Sequence, residues 1–276
     1  MKNIRIEIKK KVYEFQLEES WDELPNHLYP SIARLFLRKA KHMNDHDKLV
    51  RALAILMDGN IDVLWGLSEY DIISLLPLVE WIFAEIDLSG NKISEIDVDG
   101  VKYFGAEFDF SNIRFGEFVM AETYFMQFIE SEMESKELLA KLASVLYRIK
   151  GIGETYTPGL AEYRGDERQK FNSNLIDGQS KVFMNLEIDI LEGVYLWYAV
   201  AREKFFSYFP NVFRSRKSTQ KNTSNKPKTF GWIGVFDDLL GEKGRTAETL
   251  EDEFVSTTLL SLERTQIKVK EMKTKK

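Results

Sequence analysis

Phe115–Lys150, FGEFVMAETYFMQFIESEMESKELLAKLASVLYRIK, is the stretch whose reading decides the fold of this 276-residue chain. Phe115, Phe118, Val119, Phe125, Met126 and Ile129 recur at helical steps and make one apolar face, with Glu122 the polar interruption in the row. Ser135 is placed to cap a second helix, because its hydroxyl can accept from an unpaired amide in the next turn. Leu138, Leu139, Leu142, Val145 and Leu146 carry that helix forward. Gly151, just past Lys150, predicts a left-handed stop, and Arg148 and Lys150 suit the negative end of the helix dipole. Two amphipathic helices this close together predict an antiparallel hairpin.

Working toward the N-terminus, the pattern changes period. Ile4, Ile6 and Ile8 share a face, and Val12, Tyr13, Phe15 and Leu17 resume the pattern after Lys9–Lys11, so Ile4–Leu17 reads as a β-hairpin turning at the lysines. Ser20 and Glu23 have the spacing of a capping box. Pro30 opens a helix to about Lys41, Asp45–Met57 forms another, and Ser68–Glu85 a third that Pro77 kinks or breaks. Ile93–Val98 and Val101–Phe104 flank Asp99-Gly100, a pair suited to a two-residue hairpin turn, and Phe108 and Phe110 extend the second strand.

Toward the C-terminus, Gly151–Gly178 is mostly loop with a short helical candidate at Glu167–Asn172. Asp177 then caps a long helix over Gln179–Phe209 that Pro210 ends. Phe230–Leu240 and a segment starting at Thr249 supply the last helices, before a frayed basic tail, KVKEMKTKK. The predicted fold is mainly α with two small β-hairpins. It divides into 1–110, holding both hairpins and a helical cluster, and 111–276, a helical region with a basic loop at 211–228.

Composition narrows the function classes. The apolar content, 44%, is ample for a core, and a net charge of -6 argues against a general nucleic-acid binder. Without cysteine there is no disulfide, thiolate catalysis or cysteine-ligated zinc. No apolar run reaches the roughly 18 residues that span a bilayer, and the start lacks a signal-peptide core. A soluble cytoplasmic protein that needs no membrane is expected.

Candidate chemistry is sparse. Asp58, Asn60, Asp62 and Glu69 match a calcium loop, but Val63 replaces its bend glycine and Trp65 stands where a small aliphatic residue is usual. His27, His42 and His46 lack a further ligand set and read as surface histidines. Arg164-Gly165-Asp166-Glu167-Arg168 reads first as a capped turn, with Asp166 the cap and Arg168 pairing nearby acids; an arginine-mediated partner contact is the alternative. Neither a phosphate-binding glycine loop nor a nucleophile elbow occurs, so no enzyme activity and no cofactor are expected. Arg214, Arg216, Lys217, Lys221, Lys226 and Lys228 lie in an acid-free stretch, read as a solvated loop with electrostatic contact to nucleic acid the lesser alternative.

Aromatic density on the 179–209 helix exceeds one stripe. Phe183, Ile190, Val194, Trp197, Tyr198, Phe205 and Phe206 either bury all round in their own domain or present a second apolar face to a partner chain or another copy.

Ser20-Trp21-Asp22-Glu23-Leu24 after the first hairpin, Phe115-Gly116-Glu117-Phe118, Leu142–Arg148, Tyr163 with the Arg164–Arg168 turn, and Gly231-Trp232 form a series of short words. In that order they resemble virion and tail morphogenesis proteins of tailed bacteriophages and Bacteroidetes prophages, some of which are similar to tail assembly chaperones. The resemblance covers most of the chain; the helical segment Ala33–Glu85 and the basic loop depart from it. It implies a non-enzymatic protein acting by protein–protein contact in the host cytoplasm during particle assembly. Other phage structural or tail proteins are its implied partners, through helix-in-groove burial at Phe183–Phe209 and the 115–150 hairpin. A structural virion part, such as a ring, connector or tail component, is the second reading.

Overall fold

Alternation of apolar and polar side chains over Ile4–Ile8 and again over Tyr13–Leu17 lets the N-terminal segment pair with itself. β1 (Lys2–Ile8) runs antiparallel to β2 (Lys11–Leu17), with Ile8 opposite Lys11 and Lys10 in the left-handed region at φ 69°. The computed structural model describes residues 1–8, 10–37, 43–57, 61–213, 231–240 and 245–274. Among these the chain is 55% helix, in 11 α-helices, with two two-stranded antiparallel hairpins.

Past the first hairpin, Trp21 is buried edge-on to Tyr29 and Trp81. Helix α1 (Tyr29–Ala33) carries Pro30 in its first turn. α2 (Asp45–Leu56) is capped by Asn44, which accepts from the Asp47 amide at 2.7 Å. α3 (Ile61–Trp65) and α4 (Glu69–Leu75) follow, the latter opened by a Ser68–Asp71 capping box. Regular helix stops ahead of Pro77, whose nitrogen cannot donate, and the chain goes on as 3-10 turns at Leu76–Leu78 and Glu80–Phe83. In the second hairpin, β3 (Glu95–Val98) and β4 (Val101–Phe104) join through Asp99 and Gly100, both at positive φ as a two-residue turn demands. The strand ends at Phe104, so Phe108 and Phe110 lie outside it.

α5 (Phe115–Glu130) and α6 (Lys136–Leu146) pack together, with Ser135 accepting from the Leu138 amide. The helix predicted through Lys150 ends at Leu146 instead. Tyr147 turns extended, and Arg148 exchanges two backbone hydrogen bonds with Phe104, at 2.7 and 3.1 Å. Lys150 then bridges Arg168, so the helical candidate at Glu167–Asn172 is a further extended rung. Gly151 is not the left-handed stop; the positive φ nearby falls on Gly153, at 108° with an extended ψ of 178°, a conformation open to glycine rather than a helix cap. The extended backbone suits Tyr147, which is buried with its hydroxyl donating to the Ile93 carbonyl at 2.6 Å.

The predicted long helix is two, α7 (Ile176–Phe183) and α8 (Ile188–Ser207). Between them the bonds tighten to three-residue steps, from Asn185 to Val182 and Leu186 to Phe183. α7 lies on α6 while α8 lies on both α1 and α6, and the break permits this. Asp177 sits in the first turn of α7, whose N-cap is Leu175. α9 (Gly231–Leu240), α10 (Ala247–Glu251) and α11 (Val255–Thr274) complete the chain, with α11 helical well into the stretch predicted to fray.

Buried side chains from Ile6 to Leu259 form one cluster that crosses the predicted division at 110. Near its middle Phe110 stacks on Tyr198 at 5.5 Å and lies 4.9 Å from Phe205. Gly193 leaves room on α8 for Ile93, whose Cδ1 would lie 2.8 Å from a Cβ there, and its carbonyl accepts from the Tyr29 hydroxyl of α1 at 3.2 Å. Among the described residues, no helix is long and apolar enough to cross a membrane. Trp197 is wholly buried, so Trp197→Ala should cost about 3–5 kcal/mol in urea denaturation; an unchanged midpoint would contradict this core.

Candidate functional site

At the N-terminus of α5 the apolar face contains an acid. Glu117 is 0% exposed, and the Arg114 amide at the helix start donates to it at 3.4 Å. A carboxylate buried this deeply must find cations, because desolvation otherwise disfavours its charge. Glu117 meets two: Arg168 at 2.8 Å and Arg148 at 3.0 Å. Asp166 closes the ring, accepting from the Arg168 amide at 3.0 Å and Arg168 Nε at 2.9 Å, and from Arg148 Nη2 at 3.0 Å. Arg168, 2% exposed, also donates to the carbonyls of Leu146 and Asn112, at 2.8 and 3.0 Å. One guanidinium therefore ties α5, the end of α6 and the 112 and 166 loops together.

The two arginines are unequally compensated. Burial alone would lower the Arg168 guanidinium, but Glu117 and Asp166 outweigh it and raise the group above its ordinary value. Arg148 ends below its ordinary value, depressed by burial and then by the charge of Arg168. Its Nε, buried in a residue only 6% exposed, has no hydrogen-bond partner. Arg114 is similarly short of anions. It donates to the carbonyls of Arg164, at 2.6 Å, and Asp252, at 3.3 Å, and its guanidinium lies over Phe254 at 3.6 Å. Among the described residues no carboxylate oxygen is within ion-pair distance of it.

Arg114, Arg148, Arg164, Arg168 and Lys170, with the carboxylates of Asp166 and Asp252 and the rings of Tyr156 and Phe171, line a pit of ≈ 20 Å³. The pit shares Arg114, Tyr156, Lys170, Phe171 and Asp252 with a cleft of ≈ 530 Å³, whose lining also includes the 172–174 turn and Glu248 and Glu251 of α10.

Several of the short words meet here. Phe115 N donates to the Glu253 carbonyl at 2.7 Å, and a Cβ on Gly116 would lie 2.9 Å from Glu251 Cγ and 3.2 Å from its Cα. Trp232 of α9 stands edge-on to Phe118 at 4.9 Å. The pairing of Arg168 with acids is observed; Asp166 caps an extended rung rather than a helix. Glu122, the polar interruption on α5, is likewise buried, accepting from Tyr198 at 2.9 Å and Arg202 at 2.6 Å. Its charge helps hold the Tyr198 hydroxyl well above its ordinary pKa, after burial, the larger cause.

Of the residues on the 179–209 stretch, Phe183, Val194, Trp197, Tyr198 and Phe205 are buried in the chain's own core. Ile190 and Phe206 are half-buried against it, Phe206 stacking on Phe213 at 3.6 Å. Of the two readings of that stretch, the fold takes burial for these five. Arg214, Arg216, Lys217, Lys221, Lys226 and Lys228 lie outside the described residues, as do His42 and the calcium-loop positions Asp58 and Asn60.

Exposed aromatic surface occurs elsewhere. Trp65, at the end of α3, is 82% exposed and Tyr70, in the first turn of α4, is 81% exposed, with Ile73 one turn further on. Sequence reasoning considered Trp65 only as a misfit in a calcium loop; its position beside Gly66 and a capping serine, off any helical apolar row, was the available signal.

No family model, curated protein or solved structure matches the chain. Among the described residues no group of His, Asp and Glu side chains is placed to hold a metal ion. Arg168→Met leaves Glu117 buried with one cation fewer and should destabilise the fold by about 3–5 kcal/mol in chemical denaturation; a change under about 1 kcal/mol would show that the cluster is not a structural tie.

Proposed function

We propose that this protein acts by contact with other protein chains during phage particle assembly, as a tail-assembly or chaperone-like factor in the host cytoplasm. The assembly role rests on the resemblance carried by the words from Trp21 to Trp232. The docking role rests on one observation, the two aromatic rings at Trp65 and Tyr70 held in solvent on adjacent short helices. Trp and Tyr are the side chains that most often anchor protein interfaces, because they add large contact area at low entropy cost.

With the α8 aromatics occupied internally, the partner meets the α3–α4 corner. Tyr70 and Ile73 are three residues apart on α4 and so share a face, a layout suited to an apolar groove or helix on the partner.

Mass spectrometry of purified particles and of infected-cell lysate, with tagged protein recovered from the lysate, tests the proposal. A chaperone-like factor is recovered with a tail protein and is missing from particles; a fixed copy number in particles would assign it to the virion instead. Trp65→Ser with Tyr70→Ser should reduce recovery of the tail protein at least about tenfold with thermal stability unchanged. Full recovery by that variant would remove the α3–α4 corner as the docking surface.

A further inference from the structure

The N-terminal hairpin has an outer edge that nothing in the chain completes. Ile8 stands opposite Lys11, so two residues make the turn and its closing hydrogen bond joins that pair. Bonded and non-bonded pairs alternate along an antiparallel ladder, so Ile4, Ile6 and Ile8 bond to β2. The amides and carbonyls of Asn3, Arg5 and Glu7 therefore point the other way, along the outer edge of β1. All three residues are exposed. Among the described residues no hydrogen bond from another element reaches them, and neither Arg5 nor Glu7 has an ion pair. A strand edge with free donors and acceptors is a template for a further strand, and two strands alone make a marginal sheet.

The residues of β1 are complementary to β1 itself. In antiparallel pairing with a second copy, setting Arg5 opposite Glu7 also sets Glu7 opposite Arg5, because a two-fold axis repeats the contact. Each of these pairs exchanges its backbone N–H···O bonds and brings unlike charges side by side. Ile6 then lies on the axis facing Ile6 of the second copy, and Ile4 faces Ile8, all on one side of the sheet. These are the non-bonded pairs, in which side chains come closer, and they extend a face where Ile6 is buried and Ile4 and Ile8 are half-buried. Shifting the register by two residues sets Arg5 against Arg5 or Glu7 against Glu7, which like charge disfavours. Lys2 and Lys10 fall opposite one another past this span and limit the pairing to Ile4–Ile8. The outer edge of β2 carries Val12, Glu14 and Gln16, with no base to answer Glu14.

We propose that β1 is a self-association strand. Two copies of this chain join antiparallel through Ile4–Ile8 into a four-stranded sheet, with Arg5 of each copy paired to Glu7 of the other. The paired span is short, so the contact belongs with small, transient interfaces, and the copies separate on dilution. It uses neither Trp65 nor Tyr70, and it stands whether or not those rings dock a tail protein.

Analytical ultracentrifugation of the untagged full-length protein from about 1 to about 500 μM tests it, and the wild type should pass from monomer to dimer across that range. Arg5→Glu and Glu7→Arg, both at exposed positions without partners, should each weaken dimerisation at least about tenfold while circular dichroism stays unchanged. An equimolar mixture of the two variants should dimerise as the wild type does, since unlike charges again face each other across the axis. In the wild type the Arg5 and Glu7 amides should exchange with deuterium more slowly at high concentration than at low. A monomer throughout the range, a dimer that neither reversal weakens, or a mixture that stays monomeric would overturn the proposal.

Discussion

A guanidinium with almost no contact with water is the constraint from which much of this fold follows. Moving an ion out of water costs several kcal/mol even after relaxation, and only close anions and well-placed carbonyls offset it. Arg168 has Glu117, Asp166 and the carbonyls of Leu146 and Asn112, and each belongs to a different part of the backbone. Satisfying one side chain therefore fixes where α5 begins, where α6 must stop and how the 148–168 chain returns. The Leu146 carbonyl shows this most clearly, because continuing α6 to Lys150 would have bonded it within the helix. Once Arg148 and Lys150 turn extended, they pair with Phe104 and Arg168 and draw the second hairpin onto the helical core.

Much of the architecture was legible because it is written in local chemistry. The alternation at Ile4–Leu17, the Asp99-Gly100 turn, the Ser135 cap and the break at Pro77 each depend on residues within a few positions of one another. What sequence reading misplaced depends on distant partners. Arg148 and Lys150 fit a helix end by charge, and no neighbour in sequence indicates that Glu117 and Asp166 will capture Arg148. Gln179–Phe209 reads as one helix because Met184–Glu187 contains neither glycine nor proline; the break comes from α7 and α8 packing on different neighbours. The aromatic excess on α8 was visible, and its two readings were open, since a sequence cannot say whether the second face meets its own chain. Here Phe110 and α5 supply that cover.

The candidate site was half legible for the same reason. Asp166 and Arg168 stood out as a charged turn, and pairing between Arg168 and acids was expected, yet nothing near Glu117 or Arg114 in sequence marks either as part of the same cluster. Only the fold places Arg114 and Arg148 on one pit beside a cleft of mixed charge. The ion cluster ties these backbone segments together, while Arg148 Nε stays buried without an acceptor. The rings of Trp65 and Tyr70 stand exposed on α3 and α4, elements that a short capped turn joins.

The most direct measurement of this account is a double-mutant cycle in chemical denaturation, joining Glu117→Gln and Arg168→Met. If the buried pair organises the backbone, the double variant loses much less stability than the two single losses added together, with a coupling of at least about 1 kcal/mol. Losses that simply add would mean that the two side chains act independently, and that the turn at 148–168 is held by something other than the charge between them.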